Sequence, residues 1–273
     1  MSGHSRDALR WATDAHYEDA ERYDRTYRMR RHDVAFYREM AGEHGSPVLE
    51  LGVGTGRIAL ALARDGHELV GIERMQPMLA KLRTRLAKEP AEVRERVELV
   101  RGDIRSFRLS RRFPLVIAPF NVLMHLYARD ELERMLACVR AHLAPRGVFV
   151  LDVRMPDLRS FTRDPERAFK CPTLRDPHDG SLWDTAEIFQ YDAQTQVQMI
   201  TSTFREVAPP HRAYVKPLAH RQFFPQELEL LLHYNGFAIR DRWGDFERGP
   251  QHVDCESQIL VARASSRRAR GGA

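Results

Sequence analysis

The fold of this chain is decided by Glu50-Leu51-Gly52-Val53-Gly54-Thr55-Gly56. Apolar runs over residues 47–49 and 58–63 flank this stretch, so a short strand enters a glycine turn that opens a helix. Glycine adopts backbone angles that other residues avoid and has no Cβ, so a ligand can lie against such a turn. The dinucleotide fingerprint G-x-G-x-x-G needs its third glycine at position 57, where this chain has Arg57. The pattern G-x-G-x-G therefore indicates a different nucleoside ligand.

The residues after this turn follow at the intervals of a βαβ repeat. A helix that starts at Arg57 ends at Gly66, and Glu73 closes the next strand. Strands are predicted over residues 68–73, 97–104, 113–121 and 146–153, and a helix is predicted over residues 130–143. Open α/β sheets bind ligands at the carboxyl ends of their strands, where the glycines, Glu73 and Asp103 lie. We therefore predict a nucleoside-binding site at this edge of the sheet.

Glu50 stands two positions ahead of the first glycine, and with it the stretch resembles the first motif of class I S-adenosylmethionine-dependent methyltransferases. The resemblance covers roughly residues 45–155 and implies a Rossmann-like seven-stranded sheet with helices on both faces. It also implies S-adenosylmethionine as the cofactor, with Glu73 on the ribose diol and Asp103 on the adenine amino group. The cofactor residues that it implies in this core are Glu50, Gly52, Gly54, Gly56, Glu73, Arg74, Met78, Asp103, Ile104 and Phe120. Taken singly, each of them also fits a helix cap, a solvated charge or an ordinary turn.

The leading segment of the chain combines aromatic residues with many charges. It resembles the helical segment that folds over the cofactor in methyltransferases of the glycine and aminosugar N-methyltransferase type. Tyr23 and Arg28 are the predicted cofactor contacts, Arg28 through the methionine carboxylate, with Arg31 and Arg57 as alternatives. Tyr17 is a predicted acceptor contact. Amphipathic packing with solvated arginines explains each of these residues equally well.

Methyl transfer needs the acceptor, the methyl carbon and the sulfur in line, and a base helps when the acceptor carries a proton. His125 lies just past the fourth predicted strand and can titrate near neutral pH, so it is the candidate base. Aminosugar methyltransferases resemble this segment and carry a histidine there. Asn121 is the candidate for positioning the acceptor. A histidine between Met124 and Leu126 also fits a hydrogen-bonded packing residue.

Past the fifth strand, many β-formers separated by turn residues predict an inserted antiparallel β lobe. Its three strands are predicted over residues 183–191, 196–207 and 213–224. In the resembled family such an insertion caps the acceptor pocket and often joins subunits, which implies a homodimer contact as one role. Trp183 and Tyr214 are candidate acceptor residues, although an aromatic residue in a β lobe also fits its core. A helix over 225–236 and strands over 237–243 and 257–262 complete the main sheet.

The predicted organisation is a helical lid over residues 1–45, an α/β core over 46–154 and 220–264, the β lobe over 155–219 and a disordered basic tail over 265–273. The 43 Lys and Arg among 273 residues are interspersed with 38 Asp and Glu, so we expect no nucleic-acid partner. The three cysteines are far apart and show no metal spacing, so we expect no metal site. The sequence has neither a long apolar run nor a signal peptide, which indicates a cytoplasmic protein without a membrane partner.

These observations predict a methyltransferase that acts on an amine or a hydroxyl group of a small molecule and releases S-adenosylhomocysteine. Three alternatives stay open. The same fold and cofactor could serve a reaction that cleaves or cyclises the sulfonium. The acceptor could be RNA or protein, or the chain could be a non-catalytic nucleoside-binding module.

Overall fold

The computed structural model describes residues 5–265, which form two compact units. The core unit contains residues 30–155 and 223–265, and the lobe unit contains residues 5–29 and 156–222. The predicted lid segment therefore contributes to both units. Apart from Ser265, the predicted basic tail lies outside the described residues.

The core unit is built on one seven-stranded sheet. Its strands are β1 (Val48–Leu51), β2 (Leu69–Glu73), β3 (Val97–Arg101), β4 (Phe113–Ala118), β5 (Leu143–Arg154), β10 (Phe237–Trp243) and β11 (Ser257–Ala264). Their order is β10-β11-β5-β4-β1-β2-β3, with β11 antiparallel to β5 and to β10 and the other pairs parallel. The order reverses between β1 and β4, which is where open sheets of this kind bind ligands. The predicted fold class is confirmed.

Helices cover both faces of this sheet. They are α3 (His32–His44), α4 (Arg57–Arg64), α5 (Gln76–Leu86), α6 (Ala91–Arg94), α7 (Arg129–His142) and α9 (Pro225–Tyr234). Side chains alternate along a strand, so Leu49 and Leu51 of β1 join one apolar cluster, with residues of α7 and α9. Val48 joins the opposite cluster, with residues of α3 and α4. Glu50 is therefore directed to the α3 and α4 side of a fully buried strand.

The lobe unit is an antiparallel sheet with helices. Its elements are α1 (Arg6–Tyr17), α2 (Ala20–Tyr27), α8 (Leu158–Phe161), β6 (Phe169–Arg175), β7 (Leu182–Asp192), β8 (Val197–Glu206) and β9 (Ala213–Arg221). The strands pair in sequence order, and α1 lies against β9. The buried residues of α1 are Leu9, Ala12, Thr13 and Ala15. The leading helices and the inserted sheet thus form one unit.

The three predicted lobe strands are present as β7, β8 and β9, but a fourth strand that was not predicted, β6, precedes them at the edge of the sheet. Proline has no N–H to donate and is tolerated only at a sheet edge or bulge. Pro172 lies in β6, where the register shifts between Cys171 and Leu174. Most residues of β6 are exposed, so the strand has no apolar run that marks it in the sequence.

Within residues 5–265, no helix combines the length and the apolar character that a membrane crossing requires.

Candidate active site

The glycine loop joins β1 to α4 with its backbone in left-handed angles. Gly54 has a φ of 58° and Gly56 a φ of 84°, a region that favours glycine. A Cβ on Gly56 would collide with Leu82, whereas a Cβ on Gly54 would meet nothing closer than Met78 Cε at 3.7 Å. Gly56 is therefore needed for packing inside the protein. A Cβ on Gly54 would make only ordinary van der Waals contacts, so packing inside the protein does not require glycine there, and the missing Cβ leaves the backbone open to close approach by a ligand.

Glu73 ends β2 and holds this loop. Its Oε2 accepts the N–H of Gly54 at 3.0 Å, and its Oε1 accepts those of Arg74 at 2.8 Å and Met75 at 2.7 Å. Burial raises the pKa of Glu73, while these three hydrogen bonds oppose the rise. A carboxylate offers about four acceptor positions, so about one stays open for a hydroxyl group. The sequence predicted Glu73 as a ribose ligand, and the structure adds its support of the glycine loop.

Residues around the predicted adenine site differ in exposure. Met78 is buried and Ile104 packs partly buried against the core, whereas Arg74 is exposed. Asp103 follows β3, and its carboxylate accepts hydrogen bonds from the backbone and the side chain of Arg105. Desolvation tends to raise the pKa of Asp103, but the bonds from Arg105 lower it overall. Asp103 is thus an ionised acceptor at neutral pH.

Glu50 is a buried acid at the start of the glycine loop, with 2% of its surface exposed. Burial raises its pKa to about 8, with Arg57 opposing the rise and Asp33 and Glu73 adding to it. At neutral pH the Glu50 side chain is therefore mostly protonated in the structure described. Its Oε2 has no hydrogen-bond partner among the described residues.

A cluster that the sequence did not predict lies beside this acid. Asp33, fully buried on α3, accepts from Nη2 of Arg57 at 2.8 Å and from Nε of Arg30 at 3.0 Å. The Arg30 guanidinium lies 4.3 Å from the ring centroid of Phe120. An acid in the first turn of a helix resembles an ordinary helix-dipole residue, so the sequence gives no distinct signal for Asp33. Arg28, the predicted carboxylate ligand, is an exposed residue that ends α2 in the lobe unit.

The chain leaves β4 through two residues in the left-handed region, Phe120 at φ 57° and Asn121 at φ 67°. Asp152 of β5 holds this turn, because its Oδ1 accepts the N–H of Phe120 at 2.9 Å and its carbonyl that of Asn121 at 3.1 Å. The same Oδ1 accepts the Tyr37 hydroxyl at 2.7 Å. The Asn121 amide oxygen accepts the N–H of Arg154 at 2.7 Å, which leaves its NH₂ group to contact an acceptor. Strained non-glycine turns of this kind are concentrated at functional sites.

His125 is the last residue of a short 3₁₀ helix, Val122–His125, that follows this turn. Its neighbours Leu123, Met124 and Leu126 are buried, and His125 itself is half-buried. The structure therefore places the candidate base directly after the strained turn. Its catalytic role stays a prediction.

Predicted residues of the lobe unit lie in two aromatic groups. The first surrounds His16, whose ring centroid is 5.0 Å from that of Tyr17 and 6.1 Å from that of Tyr23. Nε2 of His16 lies 3.1 Å from the hydroxyl of Tyr27. Burial lowers the pKa of His16 to about 4, and Lys216 adds to the effect. His16 is therefore a neutral member of this group.

The second group contains the two predicted acceptor residues of the sheet. Trp183 is 5% exposed and donates from Nε1 to Ser181 Oγ at 2.7 Å. Its ring centroid is 5.1 Å from that of Tyr214, which stacks on Phe204 at 4.6 Å. The Arg22 guanidinium lies 4.8 Å from the Tyr214 ring. The indole of Trp183 thus has its polar atom satisfied inside the lobe.

No group of three His, Cys, Asp or Glu side chains within residues 5–265 is arranged to hold a metal ion. The cysteines Cys138, Cys171 and Cys255 are free thiols.

Comparison with known proteins gives concordant matches. Residues 48–147 match a family model described as "Methyltransferase domain". An uncharacterized methyltransferase of Geobacillus sp. is 30% identical over 168 residues, which cover 58% of this chain and 71% of the relative. The dTDP-3-amino-3,4,6-trideoxy-alpha-D-glucopyranose N,N-dimethyltransferase of Streptomyces venezuelae is 29% identical over 44% of this chain. The chain spans about half the length of this second relative, 47%.

A solved structure matches over nearly the whole chain. The CcbJ methyltransferase from Streptomyces caelestis superposes with a TM-score of 0.76 at 28% sequence identity. The match covers 93% of this chain and 99% of that protein.

Proposed function

Because the chain belongs to the class I S-adenosylmethionine-dependent methyltransferases, we propose that it transfers a methyl group to an amine of a small molecule. The observation that carries the proposal is the glycine loop, where packing inside the protein does not require the missing Cβ of Gly54 and where Glu73 accepts the Gly54 N–H. An amine is favoured over a hydroxyl because the Streptomyces venezuelae relative is named as an N,N-dimethyltransferase of an aminosugar.

The residues of the core unit fit the cofactor. Glu73 and Asp103 are carboxylates with acceptor positions for a ribose hydroxyl and a purine amino group. Met78 and Ile104 supply apolar surface for a purine ring. S-adenosylmethionine, when bound, supplies a methyl group on a positively charged sulfur. No strong acid or metal is needed to make that methyl group reactive, so the chain's own task is alignment.

We assign the methionine carboxylate to Arg30 in place of Arg28. Arg30 uses its Nε for Asp33, and its Nη2 lies 3.9 Å from Asp152, beyond hydrogen-bond distance. Arg30 therefore presents the edge of its guanidinium that pairs with a carboxylate through two parallel hydrogen bonds. Arg57 faces Asp33 with both of its Nη groups. Replacing Arg30 with glutamine should weaken S-adenosylhomocysteine binding about tenfold or more, whereas Arg28→Gln serves as the matched control.

The acceptor amine must be neutral to attack, so a base near it helps. His125 is the proposed base, because it follows the strained turn at the end of β4 and a neutral imidazole has a nitrogen that accepts a proton. The NH₂ group of Asn121 is proposed to orient the acceptor. Tyr17, Tyr23, Trp183 and Tyr214 of the lobe unit stay predicted contacts to the acceptor or cofactor.

The test is turnover of the full chain with S-adenosylmethionine and pairs of small molecules that differ only in an amine or a hydroxyl group. An aminosugar and the corresponding sugar form such a pair, both free and as nucleoside diphosphate conjugates. We expect S-adenosylhomocysteine and a methylated amine, identified by mass spectrometry. Methylation of the hydroxyl partner alone would overturn the amine assignment.

The same assay separates the other reaction classes. Release of methylthioadenosine would indicate that the sulfonium is cleaved instead of donating its methyl group. Methylation of total RNA or of a protein extract, with none of the small molecules modified, would replace the small-molecule acceptor. Binding of S-adenosylmethionine without turnover of any acceptor would favour a non-catalytic module.

A further inference from the structure

Arg105 fixes the carboxylate of Asp103, the residue proposed above to accept the adenine amino group. Its backbone N–H donates to Oδ1 at 2.9 Å, and its Nε donates to Oδ1 at 2.9 Å and to Oδ2 at 3.1 Å. Its Nη2 donates to Oδ2 at 2.5 Å. A planar guanidinium pairs with a carboxylate in one orientation, so these bonds define how the Asp103 side chain points.

The number of donors also matters for what Asp103 can bind. A carboxylate has about four acceptor positions, and three N–H groups of Arg105 occupy about three of them. About one position is left, and a purine amino group needs one acceptor for the N–H that it directs at the protein. The arrangement therefore suits a single N–H donor and disfavours a ligand atom that only accepts.

A second carboxylate holds Arg105 from the other side. Nη1 of Arg105 pairs with Oε1 of Glu131, which lies in the first turn of α7. Oε2 of Glu131 accepts the N–H of Tyr127 at 2.9 Å and that of Ala128 at 3.2 Å. The side chains of Arg105 and Glu131 are only 14% and 9% exposed, so water screens this ion pair less than a surface pair. Glu131 thus anchors Arg105 to the start of a helix.

We propose that Arg105, anchored by Glu131, is the positioning residue that orients Asp103 toward the adenine amino group. The inference rests on the proposed function, because it takes the adenosine cofactor as the ligand of Asp103. Without the guanidinium, only the backbone N–H of Arg105 holds the Asp103 carboxylate, so its Oδ2 is no longer fixed and the ligand must order it on binding. Arg105 orders the Asp103 side chain in the free protein, so ligand binding no longer has to supply the free energy of that ordering.

The test compares two ligands by calorimetry, S-adenosylhomocysteine and S-inosylhomocysteine, in which a carbonyl oxygen replaces the adenine amino group. A site built to accept an N–H rejects an analogue that lacks it, so the unmodified protein should prefer S-adenosylhomocysteine by about thirtyfold or more. Arg105→Gln should reduce this preference to about threefold, because the loosened carboxylate no longer meets the amino group in place. Arg105→Lys keeps the charge without the planar pairing and should also lose most of the preference.

Glu131→Gln sharpens the test, because its amide oxygen can still accept the N–H groups of Tyr127 and Ala128 while the charge that anchors Arg105 is gone. We expect an intermediate preference in this variant. Arg134→Gln is the matched control on α7, since Arg134 makes an exposed ion pair with Asp130, and its preference should equal that of the unmodified protein.

Three results would overturn the inference. If Arg105→Gln weakens both ligands by the same factor, the residue has a structural role only, and the proposed function stands. If the unmodified protein binds both ligands equally, Asp103 does not contact the amino group. If it binds neither ligand, the proposed function fails as well. Should Arg105→Gln not fold, Arg105→Lys and Glu131→Gln carry the same comparison.

Discussion

The core unit and the lobe unit differ in how far their sequences determine them. The central parallel strands β1 and β4 are apolar runs, because most of their residues are buried on both faces, and β1 is buried at every position. The strands of the lobe unit are partly exposed, and polar and apolar residues are mixed along them, as in β7. The edge strand β6 has hardly any buried residue and escaped prediction. Burial on both faces therefore makes a strand easiest to recognise in the sequence, whereas an edge strand without buried residues, such as β6, leaves no apolar pattern.

The largest expected effect concerns two glycines of the core that the sequence motif treats as equal. Gly54→Val should abolish S-adenosylhomocysteine binding at millimolar ligand while the protein still folds, because a Cβ there makes only ordinary contacts within the protein but blocks the close approach of the cofactor to the backbone. Its positive φ should cost about 1 to 3 kcal/mol of stability. Gly56→Val should unfold the protein or lower its Tm far more, since its side chain meets Leu82. Calorimetric titration and thermal unfolding of both variants measure the difference.

Equal behaviour of the two variants would break this distinction. In particular, near-normal ligand affinity in folded Gly54→Val protein would show that the cofactor does not lie against this loop.

His125 is the position of the core for which the sequence supports two roles. If it is the base, His125→Asn should lower kcat by about 10² to 10⁴ with cofactor affinity nearly unchanged, because the lost interaction acts in the transition state. The rise of the rate with pH through the range where histidine titrates should disappear. Steady-state kinetics with the true acceptor over a pH series measure both effects. Turnover within about threefold of the unmodified protein, with a lowered Tm, would assign His125 to packing.

The sequence predicted the parts of the candidate site that follow a strand directly. Gly54 and Glu73 were predicted this way, and the structure joins them by a hydrogen bond, while their contact with the cofactor stays a prediction. Asp33 and Asp152 were missed as supports of the site, because their roles depend on partners far along the chain. Asp33 meets Arg57, and Asp152 meets Tyr37, across distances in sequence that no local pattern encodes.

Arg105 is a different case. It follows Asp103 by only two positions, so the pairing of the two side chains could have been predicted from the sequence. What the sequence could not supply was Glu131, which reaches Arg105 from the start of α7.

The packing of α1 on β9 leads to a prediction for the lobe unit. Leu9→Ala should destabilise this unit by about 2 to 5 kcal/mol, because Leu9 is 5% exposed and its removal leaves a cavity. Trp11→Ala on the same helix is the control, since Trp11 is 62% exposed and should change stability by about 0.5 kcal/mol or less. Hydrogen exchange should quicken along β9 and stay unchanged along β1 in Leu9→Ala. Equal quickening in both strands would mean that the two units unfold as one.

The last prediction is a pH dependence that arises from Glu50. Its pKa is about 8 in the folded protein and 4.5 as an ordinary glutamate, with burial as the main cause. Between these values the folded state holds a proton that the unfolded state has lost. Linkage then requires the free energy of unfolding to fall as the pH rises through this window, by at most about 1.4 kcal/mol per pH unit. Below pH 4.5 both states hold the proton, and the stability that it gives the folded state is fully present. This stability is lost as the pH rises through about 8, where the folded state releases the proton.

Glu50→Gln tests this account, because glutamine has a similar shape and stays neutral at every pH. Its free energy of unfolding, measured by chemical denaturation between pH 5 and pH 9, should fall less steeply than that of the unmodified protein. Glu89→Gln is the control: Arg64 holds the pKa of Glu89 below its usual range, so the stability that Glu89 contributes is lost only toward acid pH. That variant should keep the full slope above pH 5. Parallel curves for Glu50→Gln and the unmodified protein would show that Glu50 is already ionised in the fold, with its charge balanced by the arginines beside Asp33.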